Sequence, residues 1–205
     1  MIYIVGIGPG DKEYLTDKAK KVVDSCDIIV GSRRALNLFD IENNKKIELS
    51  KNLLNELKDI IKIKDKNIAI LSTGDPCFSG LLKTLLKLGV DKKDIEVVSG
   101  ISSIQVAAAK LKISWEDFTI VTLHGKSENI KKLINLLKNK ENVIFLPNNL
   151  KEDAKILINS GLNDDLEIYV LENLTYPNEK IRKMKLKDIA KNNFSYLTVC
   201  VYVRE

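Results

Sequence analysis

The sequence predicts an α/β protein in which mainly parallel sheets are covered by helices on both faces. Strand-like and helix-like segments alternate along almost the whole chain, with short links between them. Glycine-rich turns follow several of the strands, at the edge where open α/β sheets bind their ligands. The longest apolar runs, residues 68–71 and 199–203, are strand-sized and fall far short of the ~20 residues that a membrane helix needs.

The first half of the chain predicts one set of alternating elements. Predicted strands cover residues 2–6, 27–30, 67–72 and 95–98. Predicted helices cover residues 18–26, 32–38, 53–63, 78–88 and 101–111. Helix 18–26 has Ala19, Val22, Val23 and Cys26 on one face at helical spacing, and Gly89 closes the fourth helix.

The second half predicts a second set. Strands are expected at residues 118–122, 142–146, 168–171 and 197–203, with helices at 128–139 and 150–160. The first set ends near residues 112–116, so we expect an N-terminal domain over residues 1–113 and a C-terminal domain over 114–205. No low-complexity linker separates them.

Composition excludes several classes of function. The 205 residues carry a net charge of +5, but the charges of both signs are interspersed and no basic helix or aromatic-basic pattern occurs, so we expect no nucleic-acid partner. The N-terminal residues have the pattern of a first strand rather than a signal peptide, and we expect neither secretion nor a membrane. Three scattered cysteines predict reduced thiols in the cytoplasm, with no disulfide framework and no metal site.

Three loops after strands contain glycine with proline or hydroxyl residues. Residues 6–11 read Gly-Ile-Gly-Pro-Gly-Asp, which is not the GxGxxG spacing of a dinucleotide fingerprint. Residues 72–80 lack the lysine of a nucleotide-binding P-loop. In that loop Asp75 precedes Pro76 and could cap a helix or face a cationic ligand. Residues 99–103 could bind a polar ligand edge or simply cap a helix.

Two further strand ends carry candidate groups. His124 is the only histidine and follows a strand beside Gly125, so it is a candidate catalytic residue, although a lone histidine is more often structural. Glu172 ends another strand and could orient a ligand or cap the turn. No GxSxG nucleophile pattern is present.

Together, these segments in this order resemble the tetrapyrrole methylases, which use S-adenosylmethionine. The resemblance runs over nearly the whole chain and is strongest to the methyltransferases that act on carbon 5 of cobalt-precorrin-7 in cobalamin synthesis. The discriminating segments are residues 32–34, the Leu-His-Gly-Lys stretch at 123–126, and Glu-Asn-Leu-Thr-Tyr-Pro at 172–177. The resemblance implies two α/β domains, each with a mainly parallel or mixed sheet flanked by helices, and a ligand cleft between them.

The resemblance also implies roles for individual residues. The methyl donor S-adenosylmethionine, released as S-adenosylhomocysteine, would contact Thr73, Gly74, Asp75, Phe78, Ser102, Ser103, Leu146, Leu174, Ser195 and Tyr196. An anionic tetrapyrrole would lie beside Pro9, and its carboxylates would meet Arg33, Arg34 and Lys126. Ser99 stands where many relatives have proline, and Lys126 where relatives often have arginine, which holds a carboxylate more rigidly.

Further expectations and alternatives remain open. The family implies a homodimer, and the chain length predicts only the carbon-5 step, with a separate protein methylating carbon 15 and decarboxylating. Near alternatives within the fold are another corrin carbon, an RNA ribose or diphthine as substrate. More distant ones are an NAD-dependent oxidoreductase and a ligand-binding module without catalysis.

Overall fold

The computed structural model describes residues 1–50 and 52–204, and these form two compact units, Met1–Ser102 and a second that begins at Ser103. The sequence placed the domain boundary after residue 113, whereas in the structure helix α5, Ser103–Leu111, packs against a strand of the second unit. Glu205, the predicted end of the second domain, lies outside the described residues. Among the described residues, no helix is both long and apolar enough to cross a bilayer.

The first unit is built on a fully parallel sheet with strand order β3-β2-β4-β1-β5. The strands are β1 Ile2–Gly6, β2 Ile28–Gly31, β3 Lys46–Glu48, β4 Ile68–Ser72 and β5 Ile95–Val98. The helices are α1 Asp17–Ser25, α2 Arg33–Leu36, α3 Leu53–Ile60 and α4 Leu82–Lys87.

Both faces of the first sheet are buried, because successive side chains of a strand point to opposite sides. Val5 and Leu71 pack with the apolar residues of α1 and α2 on one face. Ile4 and Ile70 pack with α3 and α4 on the other face, around the fully buried Leu57. This arrangement explains why the inner strands β1, β2 and β4 are nearly continuous apolar runs, whereas the edge strands β3 and β5 also carry charged residues.

The second unit has a mixed sheet with strand order β6-β7-β10-β8-β9. Its strands are β6 Thr119–Thr122, β7 Val143–Leu146, β8 Glu167–Glu172, β9 Lys180–Lys185 and β10 Thr198–Tyr202. Its helices after α5 are α6 Ile130–Lys138, α7 Leu150–Asn159 and α8 Leu186–Ile189. The core surrounds the fully buried Phe145.

Directions of the strands in the second sheet bring several loops to one edge. β6 and β7 are parallel, while β10 is antiparallel to both β7 and β8. Therefore β6, β7 and β8 all end at the same edge, and the chain enters β10 at that edge.

One predicted helix was partly wrong. Residues 78–88 were expected to be helical, but α4 begins only at Leu82. Ser79 adopts a positive φ of 53°, and a Cβ on Gly80 would lie 2.6 Å from the Pro76 carbonyl oxygen. The loop after β4 therefore continues in a compact turn, because Ser79 holds a left-handed conformation that an α-helix does not use and Gly80 lies against the backbone of Pro76.

Candidate functional site

Three loops of the first unit leave the same edge of its sheet. β4, β1 and β5 are neighbours and parallel, so the loops that follow them begin side by side. These loops are residues 7–11 after β1, 73–81 after β4 and 99–102 after β5. The predicted residues Pro9, Thr73, Gly74, Asp75, Phe78 and Ser102 all lie in them.

Close backbone contact between these loops requires glycine. A Cβ on Gly100 would lie 2.7 Å from the backbone carbon of Gly6 and still closer to the carbonyl oxygen of Gly74. Gly74 adopts a positive φ of 69°, and its backbone N–H donates to the Gly8 carbonyl at 2.9 Å. Beside Gly74 the space is open, since a Cβ there would approach only the Cα of Ser102, at 3.9 Å. The glycines thus let the backbones of the three loops approach one another closely.

Asp75 fastens two of the loops together. Its Oδ1 accepts a hydrogen bond from the Cys77 N–H at 2.8 Å, and its Oδ2 accepts one from the Gly100 N–H at 3.1 Å. The alternative that Asp75 caps a helix is wrong, because α4 begins only at Leu82. The carboxylate therefore organises the loop edge beside Gly74.

The two arginines of α2 have different surroundings. Ser32 caps this short helix by accepting from the Ala35 N–H at 3.3 Å. Arg34 Nη2 donates to Thr73 Oγ1 at 3.1 Å, whereas Arg33 Nε pairs with the Glu48 carboxylate at 3.1 Å on the surface. Arg34 thus reaches the loop after β4, and Arg33 is turned toward β3.

In the second unit, the predicted residues lie at the edge where β6, β7 and β8 end. His124 and Lys126 follow β6, Leu146 is the last residue of β7, and Leu174 follows β8. Ser195 and Tyr196 precede β10 at this same edge. Lys126 is half-buried, and no ion pair involves its side chain among the described residues.

Ser195 is held by the end of β8. The backbone N–H of Ser195 donates to Glu172 Oε1 at 2.8 Å, and its hydroxyl donates to Asn173 Oδ1 at 2.6 Å. The Ser195 hydroxyl also accepts from the Leu197 N–H at 3.1 Å. The side chain of Ser195 is thereby engaged within the loop, so a ligand would meet mainly its backbone.

Tyr196 is the most exposed large hydrophobic side chain of the described residues, at 70%. Its ring meets that of His124 edge to face, with centroids 4.4 Å apart. His124 Nε2 is the one buried side-chain polar atom without a hydrogen-bond partner among the described residues. Burial lowers the pKa of His124 below its ordinary value, so the imidazole is neutral at pH 7.

Sequence reasoning missed Arg182 and Phe194. Arg182 Nη2 donates to Glu172 Oε2 at 2.5 Å, and its guanidinium lies over the Phe194 ring, 5.6 Å from the centroid. The signal in the sequence is weak, because β9 reads Lys-Ile-Arg-Lys-Met-Lys and resembles an ordinary solvated strand.

A separate cavity of about 380 Å³ lies in the first unit, at the edge where its strands begin. Its lining includes Ile2, Lys66 and Asp94, which start or precede β1, β4 and β5. None of the predicted site residues lines it. The candidate loops are at the opposite edge of the sheet.

The fold and the glycine-lined loops define a methylase of the tetrapyrrole class. The chain belongs to the Tetrapyrrole (Corrin/Porphyrin) Methylases, whose sequence profile matches residues 1–190. The family and fold class predicted from the sequence are confirmed.

Three similar proteins show which members of the family this chain resembles. The probable cobalt-precorrin-7 C(5)-methyltransferase of Methanocaldococcus jannaschii is 72% identical, over 98% of this chain and 97% of its own length. The cobalt-precorrin-4 C(11)-methyltransferase of the same organism is 31% identical, over 93% of this chain and 80% of its own. The crystal structure of precorrin-6Y methylase (CbiE) from Archaeoglobus fulgidus is 27% identical, covers 100% of this chain and 98% of its own, and superimposes with a TM-score of 0.74.

Proposed function

We propose that this chain is an S-adenosylmethionine-dependent methyltransferase that acts on carbon 5 of cobalt-precorrin-7 in cobalamin synthesis. The observation that carries the proposal is the 72% identity to a protein named for that reaction, over nearly the full length of both chains. The relative named for carbon 11 is only 31% identical. The same carbon was expected from residues 32–34, 123–126 and 172–177 of the sequence.

The loops fit a methyl donor that arrives already activated. S-Adenosylmethionine, when bound, supplies a methyl group on a sulfonium, which a nucleophilic carbon can attack without an acidic or metal catalyst. The residues proposed to hold it are Thr73, Gly74, Asp75, Phe78 and Ser102 in the loops after β4 and β5, Ser103 at the start of α5, and Leu146, Leu174, Ser195 and Tyr196 in the second unit. Backbone groups and hydroxyls dominate this set. Their task is to bind, to orient and to exclude water.

Basic residues are proposed to hold the carboxylates of the tetrapyrrole. Arg34 follows β2 and reaches Thr73 in the loop after β4, and Lys126 follows β6 at the edge where Leu146 ends β7. Pro9 lies in the loop after β1. Arg33 is the weaker candidate, because Glu48 already pairs with its guanidinium. An arginine forms two parallel hydrogen bonds to a carboxylate and so fixes its orientation, which a lysine does less rigidly.

His124 is proposed as the catalytic residue of the second unit. Methylation of a ring carbon that bears hydrogen, followed by restoration of conjugation, releases one proton. A neutral imidazole can accept that proton, and burial keeps His124 neutral at pH 7. Its unpartnered Nε2 supports this role, because a buried polar atom without a hydrogen bond is unusual in a folded protein.

Incubation of the purified protein with S-adenosylmethionine and cobalt-precorrin-7 tests the proposal. The expected products are S-adenosylhomocysteine and a macrocycle heavier by one CH₂ group, detected by mass spectrometry. Cobalt-precorrin-4 serves as the competing substrate. Turnover of cobalt-precorrin-4 but not cobalt-precorrin-7 would reassign the carbon, and binding of the donor without any turnover would favour a ligand-binding module.

The remaining proposals concern partners and location. We propose a cytoplasmic homodimer, with a separate protein performing the carbon-15 methylation and decarboxylation. Light scattering of the purified protein measures the oligomer. The same incubation should release no carbon dioxide, and release of carbon dioxide would contradict a separate decarboxylating protein.

A further inference from the structure

We propose that Glu172 and Arg182 are positioning residues for the methyl donor, because together they fix the backbone that presents Tyr196 to the adenosine. Neither residue is assigned a contact with the donor. The inference rests on the proposed function, since it assumes that Tyr196 meets the adenosine ring.

The backbone on both sides of Tyr196 is fastened to the end of β8. Glu172 Oε1 accepts from the Ser195 N–H at 2.8 Å. The Asn173 N–H donates to the Leu197 carbonyl at 2.8 Å, and Thr198 Oγ1 donates to the Ser195 carbonyl at 2.6 Å. Hydrogen bonds thus hold the residue before Tyr196 and the residue after it.

Arg182 completes this arrangement through two contacts. The Glu172 side chain is only 8% exposed, and Arg182 Nη2 meets its Oε2 at 2.5 Å, which compensates a charge that is largely removed from water. The same guanidinium lies over the ring of Phe194, two residues before Tyr196. One side chain on the edge strand β9 therefore supports both the carboxylate and the start of the loop.

Although the backbone on both sides of Tyr196 is held by hydrogen bonds, Tyr196 itself is 70% exposed. On its inner side the ring meets His124 edge to face at 4.4 Å. An aromatic ring on a fixed backbone can stack on a flat ligand with little loss of conformational freedom. Loss of the Glu172–Arg182 pair would leave the ring chemically intact but less well placed, so the donor would bind more weakly.

The test uses the full chain and titrates S-adenosylhomocysteine by calorimetry. We expect Arg182→Met to weaken binding by about tenfold, because the ring is no longer preorganised. The control is Lys183→Met on the same strand, which breaks the 2.6 Å ion pair with Glu167. An exposed pair of this kind contributes little, so the control should stay within about twofold of wild type.

A double-mutant cycle separates positioning from general stability. If Arg182 acts through Tyr196, then Arg182→Met combined with Tyr196→Leu should bind no more weakly than Tyr196→Leu alone. Additive losses would overturn the inference, because a merely structural effect adds to the loss of the ring.

Arg182→Met leaves the Glu172 carboxylate unpaired and can impair folding. The cycle is therefore repeated with Arg182→Lys, which keeps the charge without the planar guanidinium, and with Glu172→Gln. Weakened binding by these variants supports the inference, and wild-type affinity in both would overturn it. If wild type itself does not bind S-adenosylhomocysteine, the proposed function fails as well. If wild type binds it and the variants bind it equally well, the inference alone fails.

Discussion

Arg34 Nη2 donates a hydrogen bond of 3.1 Å to Thr73 Oγ1, which joins the helix after β2 to the loop after β4. Arg34 is proposed to hold a substrate carboxylate, and Thr73 is proposed to hold the methyl donor. A single contact therefore links the two proposed binding regions within the first unit.

Replacement of Arg34 should weaken binding of the tetrapyrrole more than it lowers the stability of the fold. We expect Arg34→Ala to raise the KM for the macrocycle by about 10- to 100-fold, since a hydrogen bond to a charged group contributes roughly 1.5–3 kcal/mol. Arg33→Ala should have a smaller effect, because Arg33 pairs with Glu48. Steady-state kinetics with both variants measures the two KM values. An equal or larger increase in KM for Arg33→Ala would contradict the proposal that Arg34 holds the carboxylate.

Gly100 should tolerate no side chain. Its Cβ would lie 2.7 Å from the backbone carbon of Gly6, so Gly100→Ala should lower the free energy of unfolding by about 1–3 kcal/mol or more and should weaken donor binding. Gly89→Ala is the control. Gly89 has a φ of 88° but nothing within 4 Å of a Cβ, so only backbone strain of roughly 1–2 kcal/mol is expected there. Urea denaturation measures both, and donor binding unchanged in Gly100→Ala would count against the close approach of the loops.

Asp75→Asn should separate the loops after β4 and β5. The amide nitrogen would face either the Cys77 N–H or the Gly100 N–H, and two donors cannot bond with each other. We expect a loss of about 1–3 kcal/mol in unfolding free energy for the unsatisfied donor. S-Adenosylhomocysteine should also bind more weakly by titration, and wild-type stability would show that the carboxylate does not fasten these loops.

The pH dependence of the free energy of unfolding should report the protonation of His124. Because its pKa is lowered by burial, the unfolded chain takes up a proton at higher pH than the folded chain does. Stability should therefore fall as the pH drops through the ordinary histidine range, near 6.5, until the folded protein is protonated as well. The difference between wild type and His124→Gln in urea denaturation, measured at pH 7.5 and about one unit below the ordinary histidine pKa, isolates this effect. Identical pH dependence of the two proteins would exclude a buried neutral imidazole.

Much of the fold could be predicted from local sequence. Apolar runs such as 68–71 form buried parallel strands, and the glycine loops follow them as expected. β9 could not be predicted, because Lys180–Lys185 carries basic side chains that cover no core and owes its strand to pairing with β8. The turn at Ser79 and Gly80 could not be predicted for a similar reason, since close backbone contacts rather than residue propensity delay the start of α4 to Leu82.

Candidate residues directly at a strand end, such as Thr73, Gly74 and His124, could be proposed from local sequence, and their roles stay predictions. The bond from Arg34 to Thr73 spans residues far apart in sequence, and no periodicity predicts it. The same is true of Arg182, which reaches Glu172 across two antiparallel strands.

The most direct measurement is the position of the transferred methyl group. The protein is incubated with cobalt-precorrin-7 and S-adenosylmethionine that carries ¹³C in its methyl group, and the product is examined by NMR. We predict one enriched methyl, attached to carbon 5, and slower enrichment when Tyr196→Leu and Gly100→Ala are combined. Enrichment at any other carbon, or none with the wild-type protein, would contradict the proposed reaction.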